Sequence, residues 1–351
     1  MNNPISAPGS NIEIRREPLT GAYVWTGATT TGSDEWIVCL TDAEIAELDQ
    51  ALRLVQKKDL KWRDVTRADF PLLRFDRRVA AIQGELEDGR GFLVLRGFPA
   101  ERYTVEENEI IFWGLGTHLG AGVSQNAQGE YLSHVKSQGK AFGDKTVRGY
   151  QTSAELFFHN DHGDMVGLMC LHPARSGGVS KLVSTAAIYN AILASHPGYI
   201  DELCRGYIYH MRGEHQPGRS EVTEHRVPVF SYHAGKMSSR IARNAVIHGQ
   251  THIGQPLDQR GLAPLDLFDK LTEELCMQMN LQRGDMQWVS NHSVLHARSN
   301  FVDYDEPEKK RDLLRLWLNM PNGRPLTYEF ATRYGPGSAR LGIPPTEVAA
   351  G

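Results

Sequence analysis

Apolar residues recur at helical spacing in two segments of the amino-terminal third of the chain. The sequence from Thr41 to Glu44 is a capping box, and the apolar positions after it lie three or four residues apart: Ile45, Leu48, Leu52 and Val55. This pattern predicts an amphipathic helix over residues 42–57. A second capping box, from Thr104 to Glu107, predicts another helix that ends near Leu119.

The later part of the chain contains short apolar segments bounded by turn residues. Strands are predicted over residues 92–95, 286–289 and 313–318, and helices over 185–195 and 265–279. Short strands separated by turns are typical of a jelly-roll barrel closed on itself, and the helices are long enough to buttress such a barrel from outside. The pattern therefore predicts a mainly β fold with flanking helices, of the α+β class.

Composition narrows the class of protein. The chain has 351 residues, a net charge of −4, and no basic patch of the kind that binds nucleic acid. Its four cysteines are widely spaced, which favours reduced thiols. The first residues lack the basic and apolar regions of a secretion signal, and the longest apolar runs, such as Met165 to Leu171, are too short to cross a bilayer. We therefore expect a cytoplasmic protein with neither a nucleic-acid nor a membrane partner.

The candidate chemistry centres on His159, Asn160 and Asp161, which follow the apolar residues 156–158. Alternating residues of a strand point to the same face, so His159 and Asp161 can turn inward together. A second His-x-Asp sequence, His162 to Asp164, follows directly, and the chain holds 14 histidines. Either pair taken alone therefore has a competing interpretation as polar loop residues.

A distant segment supplies the missing partners. His296 follows the strand predicted at 286–289, and we expect it near the end of a strand and in the loop after it. With His159 and Asp161 it would complete a set of two histidines and one carboxylate, which suits Fe(II) and leaves coordination positions open. Arg311 and Arg315 come next, and an arginine buried in such an apolar strand requires an anionic partner.

These residues, in this order, resemble the Fe(II)/2-oxoglutarate-dependent dioxygenases of the TauD/TfdA type and their clavaminate-synthase-like relatives. The resemblance covers roughly residues 90–325. Its most specific parts are four segments, 158–161, 173–180, 291–298 and 311–318. It implies a double-stranded β-helix, a jelly-roll or cupin-like barrel with the iron at its open mouth, and three cofactors or cosubstrates: Fe(II), 2-oxoglutarate and O2.

Carried over position by position, the resemblance implies roles for individual residues. His159, Asp161 and His296 match the iron ligands, and Arg311 matches the arginine that binds the distal carboxylate of 2-oxoglutarate. Ser180 falls where the family has a hydroxyl that supports that carboxylate. Arg315 matches an arginine that, in some members, meets an anionic group of the prime substrate.

Four further expectations concern residues outside the predicted ligand set. Gln125 and Asn126 are candidate substrate residues, and the segment from Lys136 to Tyr150, rich in glycine and charge, is a candidate lid. The histidines of the segment His248 to His252 have metal-like spacing, but they lie in a polar stretch with no carboxylate partner in sequence, and we expect a surface loop there. His292 is interpreted as a residue behind the site or on the surface.

The function predicted from the sequence is hydroxylation of an unactivated C–H bond of a small polar or anionic metabolite, such as an amino-acid derivative, with release of succinate and CO2. A desaturase or cyclase that uses the same oxidising chemistry is an alternative. So is a Zn(II)-dependent hydrolase or a non-catalytic metal-binding barrel. We expect a small-molecule substrate, and a homo-oligomer stays open. The predicted organisation is an amino-terminal helical region (1–90), a catalytic core (91–330) and a tail (331–351), forming one compact domain.

Overall fold

A computed structural model describes residues 7, 9, 13–139, 151–215, 217–332 and 342–345. Its helices are α1 (Gly27–Thr30), α2 (Asp42–Lys57), α3 (Asp76–Glu87), α4 (Val105–Leu119), α5 (Thr185–Ser195), α6 (Pro197–Arg205), α7 (Arg243–His252), α8 (Gln259–Leu275) and α9 (Tyr328–Ala331). Its strands are β1 (Ile37–Cys39), β2 (Phe92–Arg96), β3 (Ala121–Gly122), β4 (Leu132–Val135), β5 (Leu156–His159), β6 (Met165–His172), β7 (Ser176–Gly177), β8 (Ser180–Ser184), β9 (Phe230–His233), β10 (Lys236–Ser239), β11 (Met277–Met279), β12 (Met286–Ser290), β13 (Val294–Arg298), β14 (Phe301–Val302) and β15 (Asp312–Asn319).

Two sheets form the centre of the fold. The larger has seven strands in the order β1-β2-β12-β6-β15-β3, with β4 also paired to β15. The smaller has four strands in the order β11-β8-β13-β5. Strands far apart in sequence are neighbours in both sheets, as expected for the double-stranded β-helix that the sequence predicted.

Each sheet has one face toward the other sheet and one face covered by helices. The interior core mixes apolar side chains from both sheets, among them Val166, Leu182, Val289, Val294 and Trp317. The outer face of the larger sheet packs against α2, α3 and α4, and the outer face of the smaller sheet packs against α5, α6 and α8. The helices thus buttress the sheets from outside, as predicted.

Local sequence signals located most of the predicted elements. Both capping boxes form, and α2 and α4 occupy the predicted residues. In contrast, the helix predicted over residues 265–279 is wrong at both ends. α8 begins at Gln259, where the side chain of Asp258 caps it, and the residues from Met277 to Met279 form β11. The two methionines alternate toward the interior because β11 pairs with β8, a contact that no local pattern reveals.

Two other expectations concern position along the chain. His296 lies in the middle of β13, not at a strand end, and is held in register on both sides by neighbouring strands. Residues 140–150, most of the segment proposed as a lid, lie outside the described residues.

Among the helices of the described ranges, none is long and apolar enough to cross a bilayer. Cytoplasmic residence stays a prediction.

The ion-paired histidine His134 links strand β4 to helix α4. Nδ1 of His134 on β4 lies 2.8 Å from Oδ1 of Asp312, and Nε2 lies 3.0 Å from Oε1 of Glu109. Hydrogen bonds to Asp312 and then to Glu109 raise the pKa of His134 from 6.5 to about 9. Because the folded state has the higher pKa, the stability gained from this charge is fully present below about pH 6.5 and is lost as the pH rises through 9.

We therefore expect His134→Gln to lower the free energy of unfolding by about 1–2 kcal/mol at pH 6.5, since the ring is partly exposed and screening reduces the full linkage value. The loss should shrink toward zero above pH 9.5. Urea unfolding of wild type and variant at both pH values measures this, with His196→Gln, at an exposed histidine, as the control. An equal loss at both pH values would contradict the assignment of the charge.

Candidate active site

Three side chains from two neighbouring strands form a candidate metal-binding cluster. His159 ends β5, Asp161 follows it, and His296 lies on β13 directly opposite His159 in the antiparallel register. The candidate ligand atoms all lie within 4.8 Å of one another. Nε2 of His159 is 3.8 Å from Oδ1 of Asp161, and Nε2 of His296 is 3.5 Å from Oδ2. The structure thus brings together the three residues that the sequence singled out.

The protonation of His159 suits a metal ligand. Its Nδ1 lies 2.8 Å from the carbonyl oxygen of Phe157, and a carbonyl only accepts, so Nδ1 carries the proton and Nε2 presents a lone pair to the cluster. Burial, followed by the nearby His296, lowers the pKa of His159 to about 4. The ring is therefore neutral at neutral pH. Neutral imidazoles beside a carboxylate are a donor set that fits Fe(II).

The carboxylate of Asp161 is held from the side opposite His159. Trp317 donates its indole N–H to Oδ2 at 2.8 Å, and Nη1 of Arg315 lies 3.6 Å from the same oxygen. Burial alone would raise the pKa of Asp161, but the charge of Arg315 and the contact with His296 hold it well below its usual range. Oδ2 thus accepts the indole hydrogen bond and also lies 3.5 Å from Nε2 of His296, while Oδ1 faces Nε2 of His159.

Arg315 is oriented by a buried amide. Its Nε donates to Oε1 of Gln125 at 2.7 Å, and the amide nitrogen of Gln125 donates back to the carbonyl oxygen of Arg315 at 2.8 Å. The hydroxyl of Ser133 donates to the same Oε1. Gln125 is therefore part of the site as the structure shows it. Asn126 instead closes a local turn, accepting the backbone amides of residues 128 and 130.

Arg311 lies immediately before β15, and its backbone amide donates to Oδ1 of Asp303 at 2.8 Å. The residue is only 5% exposed, Nη1 donates to the carbonyl oxygen of Val135 at 3.2 Å, and the guanidinium carbon lies 5.2 Å from the ring centroid of Phe301. In the described part of the chain, no carboxylate oxygen lies within 4.0 Å of its guanidinium. Burial lowers the pKa of Arg311, although the nearby Cys170, Asp303 and Asp312 act in the opposite direction. A ligand carboxylate fits this position.

Ser180 approaches the same place from β8. It is buried and follows the turn at Gly177 and Gly178. The backbone at Gly178 has a φ of +66°, which favours glycine, and a Cβ atom there would lie 3.3 Å from Nε of Arg311 and crowd it. Arg311 therefore packs against the turn that leads into Ser180. This closeness agrees with the expectation that both residues serve one carboxylate.

The second His-x-Asp sequence has a different environment. Asp164 is buried, with Oδ1 2.8 Å from Nε2 of His292 and Oδ2 accepting the backbone amide of Met320. The ring of His162 lies beside Trp317, with centroids 5.3 Å apart. His292 is thus not on the surface: it forms a buried pair with Asp164 behind the candidate ligands. His162 to Asp164 supports the strands around the cluster.

The expectation of a surface loop at His248 to His252 is wrong. These residues lie on α7, and His252 and His210 both approach Glu221, with contacts of 3.9 and 3.5 Å to Oε2. One candidate ligand atom from each of these three side chains lies within 4.8 Å of the other two. However, Nδ1 of His210 accepts the backbone amide of Arg212 at 2.9 Å, so Nε2 carries the proton of the neutral ring and is a hydrogen-bond donor to Glu221.

Trp317 and Ser133 are parts of the site that sequence reasoning missed. A signal for Trp317 is present, because it lies two residues after Arg315 on one strand and so shares its face. Ser133 faces Arg315 only through the pairing of β4 with β15. That pairing joins segments far apart in sequence, and no local pattern specifies it.

The fold and the donor set together define a class: jelly-roll proteins in which two histidines and one carboxylate are placed to hold a metal ion. Residues 57–317 match the family described as taurine catabolism dioxygenase TauD, TfdA family. The chain belongs to this family, and its class is that of the Fe(II)- and 2-oxoglutarate-dependent dioxygenases.

Two relatives are similar along most of their length. FR-33289 synthase of Streptomyces rubellomurinus is 34% identical over 331 residues, which cover 92% of this chain and 97% of that protein. Taurine hydroxylase-like protein SAT17 of Stachybotrys chartarum is 29% identical over 316 residues, which cover 85% and 79% of the two chains.

Solved structures share the fold at lower identity. Asparagine oxygenase in complex with Fe(II), 3-hydroxyasparagine and succinate superposes with a TM-score of 0.64 and 15% identity, covering 88% of this chain and 99% of that one. The non-heme iron oxygenase OrfP, in complex with Fe, succinate and 3-hydroxyarginine, gives a TM-score of 0.61 and 14% identity over 81% and 94%. These matches confirm the double-stranded β-helix.

Proposed function

We propose that this oxygenase hydroxylates an unactivated C–H bond of a small polar or anionic metabolite, such as an amino-acid derivative, and converts 2-oxoglutarate to succinate and CO2. The observation that carries the proposal is the pairing of two features. One is the donor set of His159, Asp161 and His296, and the other is the buried Arg311, whose guanidinium forms no ion pair within 4.0 Å among the described residues.

The roles follow from the contacts. His159, Asp161 and His296 would hold Fe(II) through Nε2, Oδ1 and Nε2. Arg311 would bind the distal carboxylate of 2-oxoglutarate with its planar fork, supported by the hydroxyl of Ser180. When bound, the iron and the cosubstrate couple activation of O2 to loss of CO2 and so supply the oxidant for the substrate C–H bond.

The protein's own residues orient and shield these reactants. Trp317 and Arg315 restrain Oδ2 of Asp161 and so fix the orientation of a carboxylate that would help to hold the metal. Burial of the cluster and of Arg311 would exclude water from the reacting centre. Gln125 and Ser133 hold the guanidinium of Arg315 in a fixed orientation.

The proposed substrate class rests on Arg315 and on the structural neighbours. Arg315 is a fixed cation within 3.6 Å of a candidate metal ligand, a suitable place to bind an anionic group of a small substrate. Asparagine oxygenase and OrfP both hold hydroxylated amino acids in their solved structures. Gln125 would act through Arg315, and a direct substrate contact by Asn126 stays a prediction.

We also propose that the chain forms one catalytic unit, with residues 91–330 as its core and the preceding residues packed on it. In support, α2 and α3 share one apolar cluster with β2, β6, β12 and β15. The tail from residue 331 and the oligomeric state stay predictions.

Spectroscopy tests the proposed assignment of the cluster. Anaerobic addition of Fe(II) and 2-oxoglutarate should produce the weak visible charge-transfer band of a chelated keto acid. Absence of the band, together with hydrolytic activity of the Zn(II)-loaded protein, would favour a hydrolase. A screen of amino acids and related anions for stimulation of succinate release would then identify the substrate, and product analysis would separate hydroxylation from desaturation or cyclisation.

A further inference from the structure

Arg298 is a second buried arginine near the proposed cosubstrate site. It lies two residues after His296 on β13, so both side chains leave the strand on the same face. The residue is 5% exposed. Nη2 donates to the carbonyl oxygens of Thr152 and Ala154, and Nε donates to that of Ser299, yet Nη1 is buried without a hydrogen-bond partner in the described part of the chain.

The two buried arginines share one aromatic neighbour. The guanidinium carbon of Arg298 lies 4.7 Å from the ring centroid of Phe301, and that of Arg311 lies 5.2 Å from the same centroid. Two guanidinium groups therefore lie against one aromatic ring. Within the described ranges, neither guanidinium lies within 4.0 Å of a carboxylate oxygen.

Burial of two neighbouring guanidinium cations is unfavourable unless an anion joins them. The charge of Asp303 acts on both cations, but its Oδ1 accepts the backbone amide of Arg311 at 2.8 Å and does not pair with either guanidinium. The strand register indicates where that anion would lie. Arg298 is paired directly with Ser180 across β13 and β8, and Arg311 packs against Gly178 in the turn before Ser180. Arg298 and Arg311 therefore both lie next to the short segment from Gly178 to Ser180.

We propose that Arg298, Arg311 and Ser180 line a single anion subsite, in which the unpartnered Nη1 of Arg298 binds the distal carboxylate of 2-oxoglutarate together with Arg311. The proposal rests on the proposed function. A carboxylate has two oxygens and about four acceptor positions, so it can receive the fork of Arg311 and a further donor. The other two nitrogens of Arg298 remain on backbone carbonyls and fix its orientation.

A comparison of two keto acids measures how much this subsite contributes to cosubstrate affinity. 2-Oxopentanoate has the keto-acid end of 2-oxoglutarate but a methyl group in place of the distal carboxylate. The dissociation constants of both acids, measured by calorimetry on the Mn(II)-loaded protein, give a preference for the distal carboxylate that does not depend on turnover. We expect Arg298→Gln to reduce this preference about tenfold and to leave the affinity for 2-oxopentanoate unchanged.

Two further variants complete the test. Arg298→Lys keeps the charge and the stem against Phe301, so it should lose less of the preference, and it serves where the glutamine variant does not fold. Arg175→Gln removes an exposed arginine close in sequence to the same turn and should bind both acids as wild type does. An unchanged preference in both Arg298 variants, or equal loss of affinity for both acids, would show that Arg298 only fastens residues 152–154. Wild type without any preference would instead overturn the proposed function.

Discussion

Replacement of Asp161 by alanine is expected to lower succinate formation at least about a hundredfold, because it removes the only carboxylate among the three candidate ligands. The effect should appear first as weaker binding of Fe(II). The same substitution takes an acceptor away from the indole N–H of Trp317 and a negative charge from the neighbourhood of Arg315. Co(II) titration followed by visible absorption measures metal affinity, and succinate release measures turnover.

His162→Ala is the matched control for this prediction. His162 is adjacent in sequence, buried and close to Trp317, but it is not one of the three clustered donors. We expect its alanine variant to bind metal, with at most a modest loss of turnover. If His162→Ala abolished metal binding while Asp161→Ala and His159→Ala retained it, the ligands would have been assigned to the wrong motif.

The sequence could predict the three clustered residues because each carries a local signal. His159 and Asp161 are two residues apart after an apolar strand, and His296 follows a second strand before two arginines. The capping boxes located α2 and α4 for a similar reason, since the residues that close a helix end are neighbours in sequence.

What the sequence could not predict depends on contacts between distant segments. Gln125 and Ser133 orient Arg315 only because β4 pairs with β15. Met277 and Met279 fit a helix by local preference, but pairing with β8 makes them a strand. Likewise, Glu221 reaches His252 through tertiary folding, so the absence of a nearby carboxylate in sequence was misleading. Register and tertiary contact override local propensity in each case.

The second large expected effect is on the affinity for 2-oxoglutarate and concerns Arg311. Its guanidinium is buried, lies against Phe301, and donates to a backbone carbonyl, but the described residues offer it no carboxylate within 4.0 Å. A ligand carboxylate would supply the missing charge. A lysine at this position keeps the positive charge but has one compact ammonium group, which cannot reproduce two parallel N–H donors.

We therefore expect Arg311→Lys to raise the half-saturating concentration of 2-oxoglutarate by about ten- to a hundredfold, since a charge-assisted two-point hydrogen bond contributes about 1.5–3 kcal/mol. Ser180→Ala, which removes one neutral hydroxyl, should raise it less. Arg315→Ala should act mainly on the prime substrate, although its contact with Asp161 can also weaken metal binding. Succinate release measured over a range of 2-oxoglutarate concentrations gives the half-saturating concentration for each variant. Arg175→Lys, at an exposed arginine, is the control. An unchanged half-saturating concentration in Arg311→Lys would show that the cosubstrate carboxylate binds elsewhere.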